Sequence, residues 1–471
     1  MSEEQSTYSA NPGKQLVRTV DGVDYQRIPV KTHLITNTDD MADVVVRYAK
    51  DRMQEGDILF ISEKAVACTQ NLSLIHISSF SADFVYIIRT MVVGIDSTPI
   101  LAIPLFIISG TMMAQGGISG KLFDVFSYFL GNKTGGLLCA TIATCLFYGA
   151  ISGSGPATCA AVGAMAIPLL VSLGYDKAFC SAMVATAGGL GLIIPPSISF
   201  VNYALVTGTS VTSLFMAGIL PGCLIGGCLM LYCYIYCRVH GEDKEKIRKN
   251  YEQLHRRTIF QVLRSAFWAL LSPVIILGGI YSGIFSPTEA ACISVVYAAL
   301  VSVFIYRTIS LKQLWTLMLE SVHACAPLCA LLALATAFSR ILTMLNAPQV
   351  LASFLSGIIS SRISFLILLN IVLLILGMFI DGAPAILILS PLLMPIAQQF
   401  GIDPVHLGII MVCNLAVGLA SPPFGLNLFV ASSTNGAPIM EISRKVVPFI
   451  LAFLVALILI TFVPSISLCL V

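Results

Sequence analysis

The sequence predicts an all-α polytopic membrane protein: two inverted repeats with re-entrant hairpins and discontinuous helices, preceded by a short soluble α/β fragment. Composition is the first reason. The chain is 57% hydrophobic and 11% charged, with mean hydropathy +0.91, and long apolar stretches recur from about residue 98 to 471. A soluble chain of this length needs far less apolar surface. The second reason is duplication. Pro168, Gly174, Asp176, Gly191, Pro195, Pro196 and Pro221 reappear as Pro395, Gly401, Asp403, Gly418, Pro422, Pro423 and Pro448, each 227 residues on (395 − 168). Gly155 and Gly382 share the offset. The third is that both copies are apolar sequence interrupted at matching places by Pro and Gly, the pattern of secondary transporters.

Residues 1–71 have a different character. They hold 19 of the 50 charged residues, 8 basic and 11 acidic. Residues 41–53 read as an amphipathic helix; Gly56-Asp57 then turns into an apolar strand at 58–62. This is an α/β fragment too short to bury a robust core by itself. No signal peptide or membrane span opens the chain.

From there the apolar runs predict spans at roughly 98–115, 135–150, 178–206, 214–237, 266–285, 287–307, 322–345, 363–381, 405–432 and 446–470. The stretches 152–172 and 382–400 carry Gly and Pro at their tips and predict re-entrant hairpins. Spans 178–206 and 405–432 contain Pro195-Pro196 and Pro422-Pro423, so both should be broken helices. The loop at 238–264 has 8 Lys/Arg against 4 Asp/Glu, which places it in the cytoplasm, so the span at 214–237 runs inward. Its counterpart at 446–470 begins at Arg444-Lys445 and runs outward. The copies are therefore oppositely oriented, with the repeat cores at about 149–237 and 377–470.

Inverted repeats with matching breaks place a binding site between them near mid-membrane. A sodium ion wants several oxygens in a dry cage, and unwound backbone supplies carbonyls without intrahelical donors. Ser152, Gly153, Ser154, Gly155, Pro156 and Thr158 form one tip; Asp381, Gly382 and Pro384 form the other. Their broken-helix partners are Gly191, Pro195, Pro196 and Ser197, and Gly418, Pro422 and Pro423. Half-helices starting after the breaks aim positive dipole ends inward, which suits a carboxylate. Helix packing and kinking is the plainer role for the Gly and Pro residues. Asp381 is an intramembrane acid, and such residues are functional candidates by default. It can ligate sodium, carry a proton, or simply face an aqueous cavity. Asn202, Asn414 and Asn427 can bind substrate or ion, or equally make interhelical hydrogen bonds. Arg340, near the end of an apolar span, can meet an anion; snorkelling to the interface is the simpler reading.

Other residues read as structural. Ser286-Pro287-Thr288-Glu289 is a capping box, and Asp176 and Asp403 are N-caps. The 14 Cys lie mostly in apolar segments without metal-ligand spacing and read as small apolar side chains. His323 and His406 are isolated, so sodium is the one metal ion expected. No phosphate-binding Gly-Lys-Ser/Thr loop is present, which argues against an ATP-driven pump. The net charge of +2 gives no reason to expect nucleic acid.

Several stretches carry a family resemblance: Gly149-Ala150-Ile151-Ser152-Gly153-Ser154, Gly188-Gly189-Leu190-Gly191-Leu192-Ile193-Ile194-Pro195-Pro196-Ser197, Gly283-Ile284-Phe285-Ser286-Pro287-Thr288-Glu289-Ala290-Ala291, Gly401-Ile402-Asp403-Pro404-Val405-His406 and Ser421-Pro422-Pro423-Phe424-Gly425-Leu426-Asn427-Leu428. In this order, from about residue 79 to 471, they resemble the large membrane subunit of tripartite ATP-independent periplasmic (TRAP) transporters. The resemblance implies a sodium-coupled importer of small organic acids, such as dicarboxylates, working by an elevator movement in the cytoplasmic membrane of a bacterium or archaeon. It implies a periplasmic substrate-binding protein and a small membrane subunit as partners, the latter a second chain, and no cofactor. Such subunits begin with a further helix before the segment matching 101–110, and here the soluble fragment takes its place.

That fragment, through Arg27-Ile28-Pro29-Val30-Lys31-Thr32 and Gly56-Asp57-Ile58-Leu59-Phe60-Ile61-Ser62-Glu63-Lys64, resembles the start of a coenzyme F-420 glutamyl ligase, without most of that enzyme's active site. Between the two parts, Leu72-Ser73-Leu74-Ile75-His76-Ile77-Ser78 resembles a translated transposase adaptor from sequencing libraries, which implies a chimera of two truncated genes. The alternatives are a stand-alone ion-coupled dicarboxylate or citrate-type carrier and a ligase held by a membrane anchor.

Overall fold

The computed structural model describes residues 17–20, 23–26, 41–50, 84–351 and 361–471. These fall into two units, Met1–Tyr86 and Ile87–Val471. In the first, β1 (Val17–Val20) and β2 (Val23–Gln26) pair antiparallel with Val17 opposite Gln26. Helix α1 (Met41–Tyr48) buries Val44 and exposes Val46. It stops short of the 41–53 read from periodicity. The expected strand at 58–62, the stretch 72–78 and both ligase-like motifs lie outside the described residues.

The second unit is helical. Helix α2 (Phe84–Ile95) begins three residues ahead of it, and there follow a 3-10 turn (Thr98–Leu101), α3 (Ala102–Gln115), α4 (Ile118–Leu130), α5 (Gly136–Ser152), α6 (Gly155–Ser172) and α7 (Lys177–Gly188). Then come α8 (Leu190–Ile193), α9 (Ile198–Thr207), α10 (Val211–His240), α11 (Lys244–His255), α12 (Ile259–Tyr281) and α13 (Pro287–Leu300). It closes with α14 (Leu311–Met344), α15 (Arg362–Phe379), α16 (Gly382–Gln399), α17 (Pro404–Gly418), α18 (Leu426–Asn435), α19 (Ile439–Phe462) and α20 (Ser465–Leu468). Among the described residues, 9 helices are long and apolar enough to cross a membrane, or 10 if α7–α8 and α9, bent by 42°, count as one broken span.

The caps fall where the side chains require. Asp176 accepts from the amide of Phe179 at 2.7 Å, and Asp403 from that of Val405 at 2.8 Å. Ser286 and Glu289 close a reciprocal box at the start of α13. Some boundaries differ from the hydropathy reading. Helix α14 extends back to Leu311, and its start is an Ser310/Gln313 capping box that a search for apolar residues overlooks. Helix α19 ends at Phe462, before Pro464. The stretches 152–172 and 382–400 open as α6 and α16 after two-residue non-helical tips at 153–154 and 380–381, so that α5–α6 and α15–α16 are helix–tip–helix pairs, or hairpins. As expected at 363–381, α15 is long and apolar enough to span, and by the same measure so are α6 and α16; α5 is a shorter apolar helix.

The duplication is visible helix by helix. α6 and α16 begin and end at positions 227 apart (382 − 155 and 399 − 172). Contacts between the copies are reciprocal. A Cβ on Gly155 would lie 3.3 Å from Leu419, and one on Gly382 would lie 3.3 Å from Leu192, the same pair with copies exchanged. Gly189 backs onto the carbonyl of Ala416, its own counterpart, with 2.9 Å left for a Cβ. Where lipid is as apolar as the core, close backbone approach at small residues is what holds helices together.

Helix α10 has 30 residues, about 45 Å of rise. Just beyond its C-terminal end, Glu242 accepts from the amide of Gly135 at 3.0 Å and from the hydroxyl of Tyr175, tying both open ends of the α5–α6 hairpin. Just before its N-terminal end, in α9, the Tyr203 hydroxyl donates to the carbonyl of Pro404 at 2.7 Å, at the open end of the α15–α16 hairpin. The segment after Glu242 folds as α11, with Lys249–Glu245 and Arg248–Glu252 pairs along it and Arg257 3.7 Å from Asp124.

The close approaches make a test. On Gly418 a Cβ would meet the Gly377 backbone at 2.5 Å, whereas on Gly227 it would meet nothing within 4 Å. Gly418→Val should cost about 1–3 kcal/mol by overpacking, and Gly227→Ala should be neutral or add up to about 1 kcal/mol through helix propensity. Thermal unfolding of the purified protein in detergent reads both.

Candidate functional site

The first tip is shaped by Gly153. It has φ 62°, and a Cβ on it would lie 2.6 Å from the carbonyl of Pro196, so neither the backbone nor the space admits a side chain. Its own carbonyl accepts from the amide of Ile198 at 3.3 Å, which fastens the tip to the start of α9. Around it is a compact hydroxyl cluster. The Ser152 and Thr158 hydroxyls are 2.8 Å apart, and Thr158 donates to the Ser154 carbonyl at 2.8 Å. Ser152 is 2% exposed and Thr158 is 0% exposed. Gly191 closes over the cluster, where a Cβ would lie 2.7 Å from the Ser154 carbonyl and touch the Thr158 hydroxyl. Gly155 and Pro156 open α6 immediately behind.

The first break runs through residues 194–197, all buried. Pro195 and Pro196 have no amide hydrogens for the carbonyls of Gly191 and Leu192. The Ser197 hydroxyl donates to Leu192 and accepts from the amide of Phe200 at 3.3 Å, capping α9 while covering one of the orphans.

At the second tip Asp381 is exposed and takes the N-cap of α16, its carboxylate accepting from Gly382 at 2.8 Å; Pro384 stands in the first turn. The second break runs through residues 419–425. Pro422 is half-buried, and Pro423 and Phe424 are exposed. Phe379 and Phe424 stand 5.8 Å apart between ring centroids, one from the tip and one from the break. The copies thus share a backbone and differ in side chains. Ser152, Ser154, Thr158 and Ser197 become Phe379, Asp381, Ala385 and Phe424 at the same offset. One copy presents a buried hydroxyl cage; the other presents an acid beside an aromatic pair, open to the surroundings.

The two tips meet around Leu192 and Leu419. Gly155 packs against both, and Gly382 packs against Leu192, so the N-terminal ends of α6 and α16 approach each other there. The dipole of α6, whose start has no side-chain cap bond, gives its end positive potential, whereas the Asp381 carboxylate caps α16 and offsets the dipole there. Among the described residues no group of three His, Cys, Asp or Glu is placed to hold a metal ion. The oxygens on offer are hydroxyls and backbone carbonyls, a donor set that fits a weakly bound alkali cation.

The asparagines divide. Asn427 donates to the carbonyl of Ala185 at 2.9 Å, linking α18 to α7. Asn414 donates to Asn370 at 2.8 Å, and Thr461 donates to the same Asn370 oxygen at 3.2 Å, linking α15, α17 and α19. Both are interhelical bonds, and each leaves a buried side-chain oxygen without a partner. Asn202 is buried in α9. Sequence reasoning missed Asn370, a single polar residue in an apolar run; its intramembrane polarity was the available signal. His406 is buried against Ser467 and the Thr461 carbonyl, in a helix-to-helix clasp.

Residues 61–466 match the family model described as tripartite ATP-independent periplasmic transporter, DctM component, a match that starts ahead of residue 79, where the family resemblance was expected to begin. The chain is 45% identical over 371 residues to the C4-dicarboxylate TRAP transporter large permease DctM of Pseudomonas aeruginosa, covering 79% of this chain and 86% of that one. It is 43% identical over 381 residues to the isethionate TRAP transporter permease DctMQ of Oleidesulfovibrio alaskensis, covering 81% of this chain and 59% of that longer protein. In fold it is similar to the YdaH transporter of Alcanivorax borkumensis, with TM-score 0.59 at 16% identity, covering 83% of this chain and 91% of that one.

The first tip generates a test of shape against chemistry. Gly153→Ala should cost at least about 1–2 kcal/mol from the left-handed backbone alone. Ser154 contributes its backbone and makes no side-chain cap bond, so Ser154→Ala should stay within about 0.5 kcal/mol of wild type. Melting temperatures of the two purified variants check the contrast.

Proposed function

The chain belongs to the DctM family of tripartite ATP-independent periplasmic transporters, multi-pass proteins of the bacterial inner membrane that transport and are not enzymes, and from this we propose that it is the large permease of a sodium-coupled, binding-protein-dependent importer of small organic acids such as dicarboxylates. The observation that carries the reading is the buried cluster of Ser152, Thr158 and the Ser154 carbonyl beneath Gly191, at the junction of tip and break. It offers sodium the oxygens, and the N-terminal end of α6 beside it offers an organic anion positive potential. Asp381 and the Phe379–Phe424 pair form the substrate side. Relatives named for C4-dicarboxylate and isethionate support a small anionic cargo.

The two copies act as inverted repeats in an elevator. Reciprocal contacts between them support this, as do hairpins whose open ends are tied near opposite ends of α10. A small membrane subunit, as a second chain, and a periplasmic binding protein complete the transporter. Residues 72–78 are, in this reading, translated adaptor joining two genes, on the strength of the heptapeptide and the change of composition beside it; the family match from residue 61 runs across the seam and counts against it.

Proteoliposomes holding the chain, a small subunit and a binding protein test this with labelled succinate and isethionate. Uptake should require an inward sodium gradient and the binding protein. Thr158→Val should cut it about tenfold or more, the effect of deleting one buried hydrogen-bonding group, and Asp381→Asn should weaken its sodium dependence. Unchanged sodium dependence in both variants removes these residues from coupling, and uptake without the binding protein favours a stand-alone carrier. For the seam, amplification of source DNA across codons 60–95 should give no continuous product; one intact frame whose codons for 72–78 differ from the adaptor makes the fusion genuine.

A further inference from the structure

Away from the tips, a cavity of about 320 Å³ opens between α14, α9 and α16. Arg340 is the cationic side chain in its lining. Thr90, Thr207, Thr336, Ser339 and Thr343 bring hydroxyls from three helices, and Val206, Pro391, Met394 and Pro395 supply apolar walls. Next to it Ile100, Leu332, Ala335 and Leu387 form a separate small apolar cluster with Val206 packed against it, so the cavity has a dry flank. It lies at the α15–α16 hairpin's open end, where Tyr203 holds Pro404, and far from the basic segment that follows α10. The cavity is open to the surroundings, and Arg340 and Thr343 are exposed at its mouth; what sets this arginine apart is the company of hydroxyls from neighbouring helices and an apolar flank, the mix of groups that binds a small polar ligand.

We propose that this cavity is a second binding site, distinct from the tips, for a small oxyanion: a carboxylate or sulfonate held by Arg340 and the neighbouring hydroxyls, with its carbon chain against Val206, Met394 and the two prolines. The guanidinium supplies a planar, permanently charged fork. Thr207, Thr336 and Thr343 bond carbonyls of their own helices, and Thr207 also pairs with Thr209. Their hydroxyls exchange these bonds for the anion by rotation about χ1. The walls come from α14 on one side and from both repeat copies, through α9 and α16, on the other. Movement of the repeats past α14 takes the site apart, so it is a waiting position on one face, complete in one state. The waiting role rests on the permease reading; the binding site does not.

Equilibrium binding of labelled succinate and isethionate to the purified full chain, with sodium replaced by choline, tests it. Wild type should show a weak, sodium-independent component for one or both acids. Arg340→Gln should weaken it about tenfold or more, as for loss of a charged hydrogen bond. Arg340→Lys should restore it in part, and Thr207→Val and Thr343→Val should each weaken it severalfold. Thr158→Val at the tip should leave it intact. Absence of this component in wild type, or its persistence in monodisperse Arg340→Gln protein, overturns the proposal. If Arg340→Gln aggregates, the two threonine variants decide, and unchanged binding in both overturns it. A lipid phosphate is the competing source of the same chemistry. Native mass spectrometry of protein from phosphatidylglycerol vesicles distinguishes it: a retained lipid lost in Arg340→Gln, with no displacement by either acid, assigns the site to lipid and overturns the soluble ligand. An Arg340-dependent component without any sodium-dependent one sinks the permease reading and leaves this site standing.

Discussion

The rest of the structure depends on one constraint: a helix broken in apolar surroundings leaves backbone groups that lipid cannot satisfy, so protein must cover them. Each break here is covered by a hairpin tip or by its own side chains. Gly153 presents its carbonyl to Ile198, Ser197 turns its hydroxyl onto Leu192, and Thr158 takes the Ser154 carbonyl. These contacts need the tip to lie directly against the break, which is possible because Gly153 and Gly191 have no side chains. The groups that keep the breaks tolerable are thereby gathered into one small volume. Under the proposed sodium reading, the ion borrows oxygens that the fold has already concentrated there.

Duplicating such a unit doubles the constraint and relaxes the chemistry. Breaks and glycines recur because the backbone must be closed twice, whereas side chains at equivalent tip positions are free to diverge. Hence Ser152 and Thr158 on one side stand opposite Phe379 and Ala385 on the other. The first copy's break is wholly buried, and the second exposes Pro423 and Phe424. Under the proposed function this divergence within a shared backbone becomes a division of labour, one half holding the ion and the other facing the substrate.

What the sequence reveals depends on how locally each residue acts. Pro195-Pro196, Pro422-Pro423, Asp176 and Asp403 impose their breaks and caps on the chain beside them, so the broken helices and their repeat spacing were readable. The hairpins were only half readable, because α5 and α15 are as apolar as any span and their tips are two residues long. The contact of Glu242 with Gly135 spans 107 positions and has no local signature. Asn370 and Arg340 gain meaning only from neighbours on other helices. For the candidate site, the tip and break residues stand out in the sequence by their pairing, while the contrast between a closed and an open copy required the exposure of each side chain.

The pattern of attachment bears on how such a molecule moves. Between the copies the contacts are backbone-close and reciprocal, Gly189 on Ala416 and Gly155 on Leu419, and close-packed backbones do not slide separately. Each hairpin's open end is instead held by hydrogen bonds, through Glu242 and Tyr203, near opposite ends of α10. Hydrogen bonds exchange with water at small net cost, whereas parting interlocked glycine surfaces forfeits many dispersion contacts at once. Under the proposed elevator reading the tips and breaks therefore travel as one body. The polar ties at the two ends are the contacts remade at each crossing, and a cavity between that body and α14 opens and closes with it.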